Sequence, residues 1–186
     1  MISVGDLRPG TTFEYEGNLY VVLDYSHNKT ARAAANIRIK MKNLRSGSTT
    51  EVTFGGNNDK VKKAHVDKNK MQYLYNSGEA LVFMDNETYE QIEIPADNLK
   101  WEINFLKESD EVEVTSYEGE VLGVSLPINV PFKVIETEPA VRGDTATGAT
   151  KNAIIETGYQ IKVPLFISEG EIVIVNTVDG KYQGRA

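Results

Sequence analysis

The sequence predicts a mainly β protein built as three small β-barrels in series. Three observations carry this. Short runs rich in β-branched and aromatic residues recur along the chain, each bounded by Gly, Pro, Asn or Asp. A length of 186 residues is too great for one small barrel and suits two or three modules. One stretch, 99–106, has helical instead of strand periodicity.

Residues 1–63 form the first module. Leu7-Arg8-Pro9-Gly10 is a turn signal, Thr12–Tyr15 a strand, and Glu16-Gly17-Asn18 closes a hairpin into Leu19–Leu23. Ile37, Ile39 and Met41 then alternate with Arg38, Lys40 and Lys42, the period-two pattern of a strand with its apolar face inward and three cations outward. These cations stand about 6–7 Å apart along the strand. Arg45-Ser46-Gly47-Ser48 turns the chain into Thr50–Phe54, and Gly55–Asp59 is a breaker cluster. Five short strands with tight turns fit an SH3-like barrel.

Residues 64–127 form the second. Met71–Tyr75, a turn at Asn76-Ser77-Gly78, Ala80–Met84 and Gln91–Ile94 are followed by Pro95. Asp97 or Asn98 can cap a helix in which Leu99, Ile103 and Leu106 recur, with Trp101 and Phe105 widening the stripe. This spacing predicts a helix of about three turns, with Trp101 in the core. Glu111–Ser116 and Val121–Leu126 complete an OB-fold of five strands. Residues 128–186 follow Pro127 and Pro131 as a second OB-like barrel. Its strands are Phe132–Thr137, Ala153–Glu156, Tyr159–Val163 and Glu171–Asn176, the last returning through Val178-Asp179-Gly180.

Composition narrows the function. Without cysteine there are no disulfides, thiol catalysis or cysteine zinc sites, and with only His27 and His65 neither a Ser-His-Asp set nor a multi-histidine metal site can be expected. The carboxylates of 64–127 are scattered over strand and helix faces. The expectation is therefore a protein that is not an enzyme and has no cofactor or metal. No run reaches membrane-spanning length and no leader pattern opens the chain, so a cytoplasmic protein is expected.

Charge is the strongest functional signal. The chain is −7 overall, yet Tyr25 to Thr50 contains no acid and holds Lys29, Arg32, Arg38, Lys40, Lys42 and Arg45. Residues 1–63 carry ten basic and six acidic side chains, residues 64–127 four and fourteen, and residues 128–186 six and seven. A basic block on an acidic protein points to a directed contact with a polyanion, and places it in the first module. Between the two strands of this region, His27 to Ala35 reads as a connection of polar and small residues with no apolar anchor. It would project from its sheet by at most about 15 Å. Arg32 sits near its middle among Ala31, Ala33, Ala34 and Ala35. Its guanidinium is permanently charged and unobstructed, fit to enter a narrow crevice; on spacing alone an exposed arginine kept for solubility is the plainer reading.

Lys29-Thr30-Ala31-Arg32-Ala33, ending in the strand Lys40-Met41-Lys42-Asn43, resembles the tip loop of the bacterial elongation factor P family, usually Lys-Pro-Gly-Lys-Gly running into a Lys-Leu-Lys-Asn-like strand. The resemblance covers the full length. It places Arg32 on the family's tip lysine and Thr30-Ala31 on its Pro-Gly, matching the branch with arginine at the tip. Gly143-Asp144-Thr145 and the ending Gly180–Ala186 also resemble family signatures.

The resemblance implies an elongated, tRNA-like line of barrels bound as a monomer to the 70S ribosome between the P and E sites, relieving stalls at consecutive prolines. Arg32, rhamnosylated by an arginine rhamnosyltransferase, would reach the peptidyl transferase centre, with Lys29, Thr30, Ala31 and Ala33 at the CCA end of P-site peptidyl-tRNA. Arg38, Lys40 and Lys42 would meet tRNA or rRNA phosphates. Gly143, Asp144 and Thr145 would approach E-site mRNA, with Tyr182 and Arg185 offering stacking and phosphate contact. From the residues alone Asp144 is equally a turn cap. The alternative function is a general single-stranded RNA-binding OB-fold protein, which needs a basic, aromatic groove on residues 64–127.

Overall fold

The computed structural model describes residues 1–28, 36–140 and 148–186. Among these residues there are sixteen strands, no α-helix, and three sheets. No helix among them is long and apolar enough to cross a membrane.

The first sheet contains β1 (Ile2–Ser3), β2 (Thr12–Tyr15), β3 (Asn18–Asn28), β4 (Asn36–Asn43), β5 (Thr49–Phe54) and β6 (Lys60–Lys63), in the order β1-β6-β2-β3-β4-β5. The strands expected at 12–15, 37–42 and 50–54 are present. The first hairpin turns at Glu16-Gly17, both at positive φ (48° and 78°), the conformation that matches the twist of two antiparallel strands. Val4, Leu7, Phe13, Val22, Ile37, Ile39 and Met41 are at most 1% exposed and fill the core.

β3 is longer than the expected Leu19–Leu23. The register shifts between Val22 and Asp24, and beyond this bulge β3 continues pairing as far as Asn28 opposite Asn36. The bulge leaves Leu23 exposed and lets the next residues keep an inward Tyr25 beside an outward Asp24. His27 and Asn28, read from the sequence as connection, are thus strand.

The second sheet contains β7 (Asp67–Asn76), β8 (Ala80–Asp85), β9 (Gln91–Pro95), β10 (Glu111–Tyr117) and β11 (Glu120–Ser125), in the order β11-β10-β7-β8-β9. The third contains β12 (Asn129–Thr137), β13 (Thr150–Ile155), β14 (Gln160–Pro164), β15 (Ile172–Asn176) and β16 (Tyr182–Arg185), in the order β14-β13-β12-β15-β16. Phe132, Val134, Ile155, Val163, Ile167, Val173 and Val175 are fully buried inside it.

The expected three-turn helix is absent. Two single 3₁₀ turns, Ala96–Leu99 and Glu102–Phe105, stand in its place. The reason is where the apolar side chains go. Ala96–Leu99 packs against β8 and β9, whereas Phe105 is buried in the cluster around Phe132. A straight helix of this length gains little from its own hydrogen bonds and cannot serve both anchors. Trp101, expected in the core, is 39% exposed; its ring packs edge-on to Phe105 and Tyr159 while its Nε1 donates to the Thr177 carbonyl at 2.8 Å.

The chain divides into two compact units: residues 1–68 with 114–123, and residues 69–113 with 124–186. In the first, Leu19, Ala64 and Tyr117 form a second buried cluster with Leu44, Val66 and Leu122 around it.

Candidate nucleic-acid interface

β4 is the centre of the candidate surface because its alternation holds throughout. Ile37, Ile39 and Met41 are buried, and Arg38, Lys40 and Lys42 are exposed on the opposite face. β3 and β5 flank it, and in antiparallel pairing directly opposed residues share a face. Arg38 lies between Ser26 and Thr53, Lys40 between Asp24 and Glu51, and Lys42 between Val21 and Thr49.

This register changes the electrostatics read from the sequence. Asp24 and Glu51 bound the acid-free stretch in the chain, and the sheet returns them to either side of its central lysine. The face therefore combines three cations with two carboxylates. Arg38 Nε lies 3.3 Å from Glu51 Oε1, a diagonal ion pair with both side chains about half exposed. Asp24 Oδ1 accepts from the Tyr25 N–H at 2.9 Å. Lys40 and Lys42 have no ion pair among the described residues. Neither carboxylate stands out in the sequence as a site residue; their signal is positional, one just outside each end of the acid-free run.

One end of this strand pair carries the pair Asn28–Asn36. The connection 29–35, with Lys29, Thr30, Ala31, Arg32 and Ala33, lies outside the described residues. Beyond the other end the sheet is covered by the β10–β11 turn region through the Leu19–Tyr117 cluster. Arg45 donates from Nε and Nη2 to the two carboxylate oxygens of Glu120, each at 3.1 Å, and from Nη1 to the Gly17 carbonyl at 3.2 Å. Arg45, counted in the sequence as part of the basic block, is thus engaged within its own unit. The pairing holds the Glu120 carboxyl below its ordinary range and raises Arg45 further. Beside it the Tyr117 hydroxyl donates to Glu14, which also accepts from Lys62 Nζ at 2.9 Å. These two hydrogen bonds, Tyr117 first, lower the Glu14 pKa, and the Glu14 contact raises that of Tyr117.

The other expected RNA-contact residues lie in the third sheet. Tyr182 is half-buried against the core of that sheet. Arg185 is exposed, paired with Glu171 at 3.3 Å, with its guanidinium carbon 4.6 Å from the centre of the Phe166 ring. Phe166, 59% exposed, was not anticipated from the sequence. Gly143, Asp144 and Thr145 lie outside the described residues.

Comparison with known proteins identifies the relationship. Three family models cover almost the whole chain: the elongation factor P KOW-like domain matches residues 3–61, the elongation factor P OB domain residues 66–124, and the elongation factor P C-terminal model residues 130–185. Elongation factor P of Mesoplasma florum is 54% identical over 185 residues, covering all of both chains. The chain belongs to the elongation factor P family. Elongation factor P proteins of Metamycoplasma arthritidis and Mycoplasma mycoides subsp. mycoides are 51% and 50% identical, again over the full lengths. Among solved structures, eukaryotic translation initiation factor 5A from Methanococcus jannaschii aligns with a TM-score of 0.54 at 24% identity, covering 67% of this chain and 90% of that one, a likeness of fold alone. Membership of the elongation factor P family makes the chain a translation elongation factor, implies that it binds the ribosome, and places it in a family that is not one of enzymes.

Proposed function

We propose that the chain binds the 70S ribosome between the P and E sites and promotes peptide-bond formation where consecutive prolines stall it. It acts as three modules, 1–63, 64–127 and 128–186, in a tRNA-like line. The match of one family model to each of three successive segments supports this division.

The observation that carries the reading is β4, whose outward cations line the open face of the strand pair that leads into the 29–35 connection. Lys40, Lys42 and Arg38 contact backbone phosphates of P-site tRNA or rRNA, which fixes register without reading sequence. Arg32, rhamnosylated in the native protein, reaches the peptidyl transferase centre, with Lys29, Thr30, Ala31 and Ala33 along the CCA end. A guanidinium cannot serve as a base at neutral pH, so its contribution is orientation and charge: it holds a slow donor and acceptor in reacting geometry while the ribosome forms the bond. Gly143, Asp144, Thr145, Tyr182 and Arg185 meet RNA near the E-site codon.

The test is translation of a reporter containing consecutive prolines in a reconstituted system lacking any such factor. Addition of the native chain shortens the pause at the proline run and leaves a proline-free reporter unchanged. Equal acceleration of both reporters, or of neither, contradicts the proposal.

A further inference from the structure

We propose that Glu51 is a specificity-determining residue of the cationic strand: it occupies Arg38 in the free protein and gives way only to a phosphate held in the right place. The inference rests on the reading of β4 as an RNA-facing strand and deepens it.

Three observations converge. Glu51 is opposite Lys40 in register, yet its carboxylate reaches diagonally to Arg38, 3.3 Å away. Both partners are about half exposed, so an incoming anion can reach the guanidinium. Asp24 flanks Lys40 from the other side, so two carboxylates are interleaved with three cations on one open face.

Carboxylate and phosphate compete for the same planar fork of donors on arginine. An exposed ion pair is worth little, so the exchange is easy when a phosphate is positioned to replace the carboxylate. A polyanion that touches the strand loosely gains nothing from that exchange and also meets the repulsion of Glu51 and Asp24. Specificity of this kind comes from weakening the wrong complex as much as from strengthening the right one. It suits a protein that works in a cell crowded with RNA, because bare Arg38, Lys40 and Lys42 would bind any duplex through its phosphates.

The experiment uses the full-length chain and two probes over a salt series: 70S ribosomes with deacylated tRNA in the P site, and a generic RNA duplex of unrelated sequence. Glu51→Gln keeps size and polarity and removes the charge. It should tighten duplex binding by about two- to fivefold, the worth of an exposed pair. The log–log salt slope for the duplex should steepen by about 0.7–0.9, the share of one added phosphate contact. Ribosome affinity should rise by less, so the ratio of the two affinities falls. Asp24→Asn, which frees no cation, should tighten duplex binding without steepening the slope. An Asp24→Asn slope that steepens like that of Glu51→Gln overturns the pairing argument. Unchanged duplex affinity and slope in Glu51→Gln, or equal tightening on both probes, overturns the proposal. Lys42→Ala separates the two levels. If it weakens both complexes while Glu51→Gln is silent, only the role of Glu51 fails. If it weakens neither, β4 does not face RNA and the proposal falls with that reading. An unchanged unfolding midpoint confirms that each variant is folded.

Discussion

Arg45 holds Glu120 at two points, Nε to Oε1 and Nη2 to Oε2, both at 3.1 Å, across 75 residues of sequence. Both side chains are more than a third exposed, so this pair aligns the β10–β11 turn region and does not supply most of its attachment. The attachment comes from the Leu19–Tyr117 cluster. Leu19 is 1% exposed, and Leu19→Ala should cost about 2–5 kcal/mol. Arg45→Ala should have a smaller effect on unfolding but should raise amide hydrogen exchange in 114–123. The charge-reversed pair Arg45→Glu with Glu120→Arg should restore part of the protection. Exchange in 114–123 that does not respond to Arg45→Ala would contradict this division of labour.

Glu14 gives the first unit a pH dependence with a defined sign. Its carboxyl is held below its ordinary value of 4.5 by the Tyr117 hydroxyl first and Lys62 second. A group whose folded-state pKa is depressed contributes stability that is fully present above the unfolded value and is lost as pH falls through the folded one. Glu120, lowered by Arg45, acts with the same sign. The unfolding midpoint should therefore fall below pH 4.5, and Glu14→Gln should flatten that acid limb while lowering the neutral-pH midpoint. The check is thermal unfolding of both proteins from neutral pH down to about 3. Parallel profiles would contradict the assignment.

The sequence made part of this legible and hid the rest for identifiable reasons. The alternation of Ile37, Ile39 and Met41 with three cations is a local property, and β4 follows from it. The turns at Gly17 and Gly78 are likewise readable, because positive φ at these positions favours glycine. The stretch around Leu99 and Phe105 has helical spacing but two different packing partners, so tertiary contacts override periodicity. The return of Asp24 and Glu51 to the flanks of Lys40 depends on a bulge at Leu23 and on strand register, which no single-strand pattern encodes. For the same reason Arg45 read as part of a basic block, while its partner lies at position 120.

Gly180 is a position where any side chain should be costly. It sits at φ +72°, and a Cβ there would lie 2.9 Å from Tyr159 Oη and 3.1 Å from Trp101 Cη2. Trp101 is the one tryptophan in the chain, so its fluorescence reports this packing directly. Gly180→Ala should destabilise by about 1–3 kcal/mol, from backbone strain and overpacking together. Trp101 emission should shift through the same transition. Wild-type stability in this variant would contradict the geometry.

The proposed modification has its own signature. Intact mass of native protein should exceed the sequence mass by one deoxyhexose, and peptide fragmentation should place the increment on Arg32. An unmodified mass from a preparation active in proline-run translation would show that the sugar is not required.

The most direct test of the proposed function is Arg32→Ala assayed for relief of stalling at consecutive prolines, with ribosome binding measured in parallel. The variant should stay folded, still bind through Arg38, Lys40 and Lys42, and give no relief of the stall. Normal relief by Arg32→Ala would contradict it.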